Sequence, residues 1–163
     1  MGETMDQIKF LLTTTSGRIG RQQWWIGILA LIVVSIVASL VLGAFSFGNP
    51  VVTGWLAVLL NVALIYPSYC LGLKRRHDRD SDGKDLLILL AVSVILNLVQ
   101  AIGIGIDWVD VGNGVVMPVP SMWLGLINLA FGIFAIYMLV QLGFLKGTTG
   151  PNSYGPDPLD GAA

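Results

Sequence analysis

Between Gln22 and Leu73 the sequence contains no Asp, Glu, Lys or Arg. A helix needs roughly 20 apolar residues to cross the hydrocarbon core of a bilayer, so this stretch is too long for one crossing and long enough for two. Gly48-Asn49-Pro50 divides it, because these residues favour a turn over helix. The first helix is therefore expected at about Trp24 to Phe47 and the second at about Val52 to Leu73. Two more uncharged runs of spanning length follow, Leu86 to Ile106 and Ser121 to Leu145. Only 12% of the residues are charged, against about 25% in a soluble domain. That is too little charge to cover a water-facing surface.

The expected fold is an all-α membrane protein, a bundle of four transmembrane helices with both termini cytoplasmic. Residues 1–23 form a cytoplasmic arm, 24–145 the membrane domain and 146–163 a Gly- and Pro-rich cytoplasmic tail. The arm is mixed and polar, unlike a secretory signal with its short apolar core and cleavage site. Within it Met5, Ile8, Leu11 and Leu12 share one helical face, which suggests a short interfacial helix.

Orientation follows from the basic residues. Lys9, Arg18 and Arg21 precede the first span, while Lys74, Arg75, Arg76, Arg79 and Lys84 lie between the second and third. Lys146 follows the fourth. These are all nine Lys and Arg, and four alternating crossings put every one on the same side. The positive-inside rule makes that side cytoplasmic. Trp24, Trp25, Trp55, Trp108 and Trp123 fall near the expected helix ends, where an indole suits the headgroup level.

No Asp, Glu, Lys, Arg or His lies within a span, which weighs against an ion-coupled transporter. Asn61, Asn97, Gln100, Asn128 and Gln141 are the polar side chains at depth. They read first as interhelical hydrogen-bonding groups and second as a polar pathway. Pro67 removes a backbone donor within the second helix and is expected to kink it.

The chain has one cysteine, Cys70, and one histidine, His77. They cannot complete a zinc site, and no cofactor is implied. Asp78-x-Asp80-x-Asp82-Gly83 matches half of a calcium loop, but its twelfth position is Leu89 rather than an acidic residue. His77-Asp78 invites a catalytic reading, yet no nucleophile turn or further ligand accompanies it. No catalytic or metal residue is assigned.

Three polar motifs remain: GRIGRQQWW at 17–25, KRRHDRDSDG at 74–83 and GTTGPNSYGPDP at 147–158. Together, in this order around four apolar runs, they resemble the bacterial family called domain of unknown function 805, the YhaH/YhaI-like inner-membrane proteins. The matching residues are Gly17, Arg18, Arg21, Trp25, Arg75, Arg76, His77, Asp78, Gly83, Gly150, Asn152, Tyr154, Gly155, Asp157 and Pro158. The chain departs from the family at Asp82 and Lys84, where Ser and Trp are usual. The resemblance implies a small bacterial inner-membrane protein and supplies no activity.

The candidate site is thus the face carrying Arg18, Arg21, Arg75, Arg76, His77 and Asp78. Guanidinium groups there could bind lipid phosphate bidentately or form an internal salt-bridge network. The loop's interleaved Asp78, Asp80, Asp82 and Asp85 favour the network. Asn152, Tyr154 and Asp157 are expected to fold back onto Arg18, Arg21 or Arg75 as a cap. The leading function is a non-enzymatic accessory subunit or scaffold of a membrane assembly. Alternatives are a small transporter or channel, and an interfacial enzyme or binder acting on lipid phosphates. Partners are membrane lipids and other membrane proteins. The even charge balance gives nucleic acid no electrostatic hold.

Overall fold

A computed structural model describes residues 2–160. The chain is predominantly helical. Helix α1 spans Gly2–Thr13, α2 Arg21–Phe45, α3 Pro50–His77, α4 Lys84–Ala101 and α5 Met122–Leu139. A π-helical turn, Val140–Phe144, extends α5. Helices α2, α3, α4 and α5 with its π turn are each long and apolar enough to cross a membrane.

The expected break falls where the turn residues lie. Asn49 caps α3 by accepting from the amides of Val51 and Val52, at 3.0 and 3.2 Å, and Pro50 occupies the first helical position. Helix α3 then runs through Pro67 and on past Leu73 to His77. Lys74, Arg75, Arg76 and His77 therefore form its last turn rather than a loop. Cations there complement the negative end of the helix dipole.

Neighbouring apolar helices are antiparallel. Gly54 near the start of α3 lies against Ala101 at the end of α4, and Gly72 near the end of α3 against Leu86 at the start of α4. Gly27 of α2 meets Leu71 of α3, while Gly143 of the π turn meets Trp24 and Trp25 of α2. The arm, the end of α3 and the tail thus meet at one end. Around that end lies the apolar core, including Ile19, Trp24, Leu71, Leu73, Leu86, Met138 and Leu142. Elsewhere the helices turn their Val, Ile and Leu outward, as bilayer-facing helices do.

The all-α expectation needs one correction. The third connection folds into an antiparallel hairpin, β1 Ile106–Asp110 and β2 Val116–Pro120. Valines at 109, 111, 115, 116 and 119 favour extended backbone, and Gly112-Asn113-Gly114 supplies three positive φ angles for the turn. Val111 donates to the Val115 carbonyl at 2.9 Å and Ser121 to that of Gly105 at 2.7 Å. This phase makes odd-numbered residues of β1 the hydrogen-bonded pairs. Pro118 and Pro120 pair with Trp108 and Ile106, so they occupy outward positions where no ladder amide is lost.

Candidate functional site

The centre of the charged end is the carboxylate of Asp78, the C-cap of α3. Its Oδ1 accepts from Arg18 Nε and Nη2 at 3.2 and 3.0 Å, and its Oδ2 from Arg75 Nη1. Arg18 and Asp78 are 7% and 4% exposed, and Arg75 not at all. A carboxylate held by two guanidinium groups meets the condition for burying charge, namely that it be paired and hydrogen-bonded.

The remaining donors reach other elements. Arg75 Nε donates to the Leu142 carbonyl at 2.8 Å, and Nη2 to that of Leu145. These belong to the end of the fourth apolar helix, whose last carbonyls have no partner within the helix. Arg18 Nη1 donates to the carbonyls of Gly150 and Gly155 at 2.8 and 3.1 Å, and Nη2 to that of Thr148 at 2.7 Å. One buried residue thus closes the end of α5 and the other gathers the tail.

Lys74, also fully buried, performs the same task for the arm. Its Nζ donates to the carbonyls of Phe10, Leu11 and Thr14 around the end of α1 and lies 4.7 Å from the Phe10 ring centroid. Tyr66 adds a hydrogen bond to the Thr13 carbonyl at 2.8 Å.

His77 is stacked on Tyr154 at a centroid distance of 3.9 Å and an interplanar angle of 7°. Its Nδ1 lies 3.2 Å from the Gly17 carbonyl, a contact that requires the proton on that nitrogen. The Asp78 carbonyl accepts from the Thr148 amide at 2.8 Å, and the His77 carbonyl from Asn152 Nδ2 at 2.9 Å. At Gly147 an added Cβ would collide with the Asp78 carboxylate, so only glycine lets the tail pass this close.

The expected site residues separate into two groups. Arg18, Arg75, His77 and Asp78 come together, with Arg76 at the margin. Arg76 pairs with Asp85 at 2.7 Å and donates to Gln141 at 3.2 Å, while its Nε is buried without a partner among the described residues. Arg21 stays exposed and, among the described residues, donates only to the Phe144 carbonyl, at 3.2 Å. The tail docks, but by different atoms from those expected. Arg18 is held by tail carbonyls, whereas the side chains of Asn152, Tyr154 and Asp157 engage other partners. Asp157 accepts from the amides of Gly150 and Leu159, at 2.9 and 3.0 Å. Those bonds, with a smaller contribution from nearby Arg18, hold its carboxyl below the ordinary range.

Sequence reasoning overlooked Lys74, Thr148 and Gly147. A lysine at the edge of a charged cluster looks like solvated surface, and no local spacing signals that an arm will wrap it. Gln141, expected as an interhelical bonding group, is the acceptor for both Arg76 and Arg79.

The geometry defines a class: a protein with four membrane-length helices whose arm and tail are fastened to the end of α3 by buried cations. The model of the family described as "Protein of unknown function (DUF805)" matches residues 12–156, and the chain belongs to that family. The Uncharacterized protein YiiR of Escherichia coli strain K12 is 28% identical over 154 residues, covering 91% of this chain and 88% of that one. The protein of the same name from strain O157:H7 matches to the same extent. No solved structure matches.

Proposed function

We propose that the protein is a non-enzymatic, multi-pass protein of the bacterial inner membrane, an accessory subunit or scaffold of a membrane assembly, with both termini cytoplasmic. One observation carries this reading: Arg18, Lys74 and Arg75 spend their donors on the protein's own carbonyls and on Asp78. A phosphate-binding site would keep guanidinium donors free and aimed at one point. Here the cationic residues serve as fasteners between chain segments. The orientation is supported by the basic residues before and at the start of α2, from the last turn of α3 to the start of α4 and after the π turn of α5, against Asp107 and Asp110 alone in the hairpin. Four helices that bury little of their own surface leave broad lateral faces for lipid or for other membrane proteins.

The test is purification of the tagged protein from its native membrane in gentle detergent, with mass spectrometry of co-purifying proteins and lipids. A stoichiometric protein partner is the expected result. A lone protein carrying a defined phospholipid or polyprenyl phosphate would overturn the scaffold reading.

A further inference from the structure

Six uncharged polar side chains from three helices converge at mid-span: Ser35 and Ser39 of α2, Asn61 and Ser68 of α3, and Ser93 and Asn97 of α4. They line a crevice of about 310 Å³. Some of their hydrogen-bonding capacity is spent locally. Ser35 Oγ donates to the Ile32 carbonyl at 2.8 Å, Ser93 Oγ donates to the Leu90 carbonyl at 2.7 Å and lies 3.5 Å from Asn61 Oδ1, and Asn97 donates to the Ser93 carbonyl at 2.8 Å. Among the described residues the Asn61 NH2 group and the hydroxyls of Ser39 and Ser68 have no protein partner. An amide and two hydroxyls left over beside one space inside a bilayer are costly unless something polar fills it.

The chemistry of the wall selects the occupant. No charged side chain lines the crevice, so an ion entering it would lose its hydration without a counter-charge. An uncharged molecule bearing hydroxyl or amide groups would instead find both donors and acceptors, since Asn and Ser offer each. The volume holds on the order of ten waters, or one small polyol, at about 30 Å³ per water. A smaller cavity of about 70 Å³ shares Ser39, Ala57 and Leu60 and continues toward Thr53, at the hairpin end. The cavity beyond Ser68 is walled mainly by Trp24, Leu71, Met138 and other apolar residues of the core. Both neighbouring cavities are walled mainly by apolar residues, so the polar lining is confined to mid-span and stops short of the buried charges.

From this we infer that the crevice between α2, α3 and α4 is a hydrated binding site for small, uncharged solutes carrying hydroxyl or amide groups. This goes beyond the scaffold reading and does not depend on it.

Cysteine modification of the full-length protein in lipid nanodiscs tests it. The background is Cys70→Ala, and the reporter is Ser93→Cys, a near-isosteric change. Leu59→Cys, on an exposed face of α3, gives the lipid-facing control. A neutral hydroxyethyl methanethiosulfonate should modify Ser93→Cys about tenfold faster than the control, because the thiol must meet water to ionise and react. It should also outpace a trimethylammonium analogue, each normalised to its rate with a free thiol. Glycerol should slow the reaction at Ser93→Cys, and adding Asn61→Leu should slow it further. A rate equal to the control would show that lipid or protein fills the crevice. Equal rates for neutral and cationic reagents, or no protection by glycerol, would remove the uncharged-solute assignment. Ser68→Cys gives the same comparison should Ser93→Cys fail to fold.

Discussion

Asp78 is the residue on which the charged end depends most. Asp78→Ala would leave Arg18 and Arg75 buried and facing each other, and breaking such a pair costs about 3–5 kcal/mol. The expected result is a protein that unfolds at markedly lower denaturant concentration and loses its tail to added protease. Arg75→Lys is not conservative here, since an ammonium cannot reach Asp78, Leu142 and Leu145 from one rigid fork. It should destabilise more than Arg21→Lys, as thermal unfolding in detergent would measure. Gly147→Ala should release the tail without removing any polar group, because the new methyl would collide with the Asp78 carboxylate. Asp157 sets a pH limit on the same tail. Its folded pKa is depressed, so its contribution is present above the ordinary carboxylate range and lost only as pH falls through the lower folded value. Protease protection of the tail should hold at neutral pH and down through the ordinary carboxylate range, then weaken in stronger acid, and Asp157→Asn should weaken it at neutral pH but not in strong acid.

At the scale of elements, legibility depended on whether a signal was local. The uncharged runs are local, and the turn at Asn49-Pro50 falls where its residue types demand. The last turn of α3 was less visible. Charge density suggests solvent, while burial of Lys74 and Arg75 follows from a partner arm and tail that are distant in sequence. The tail was legible as a docking segment but not by its contacts, because backbone carbonyls carry no residue signature. The hairpin left a local trace, valines around Gly-Asn-Gly, that apolar-run counting passed over. Its register makes a sharp prediction. Trp108 lies at an outward position and Val109 at a hydrogen-bonded one, so Val109→Pro removes a ladder bond and Trp108→Pro removes none. Amide exchange at Asp107 and Val111 should rise in Val109→Pro and stay close to the parent in Trp108→Pro.

For the whole molecule, the consequence is that the two ends of the chain are coupled. The arm is fastened by Lys74 and the tail by Arg18 and Asp78, and these residues meet on α3 within one turn of each other or through His77. Gly17, between α1 and α2, touches His77, and His77 in turn carries Tyr154 of the tail. Buried polar groups of this kind support one another, because removing one member leaves others unsatisfied. Truncation after Lys146 would strip Arg18 of its three tail carbonyls and expose the His77 ring. The arm should then become accessible to trypsin at Lys9 and Arg18, although the truncation removes no contact made by Lys74. An arm cleaved at the parent rate would mean that arm and tail are independent attachments. Faster cleavage in the truncated protein, with helix content unchanged by circular dichroism, would mean that the charged end opens as a single unit while the four apolar helices remain in place.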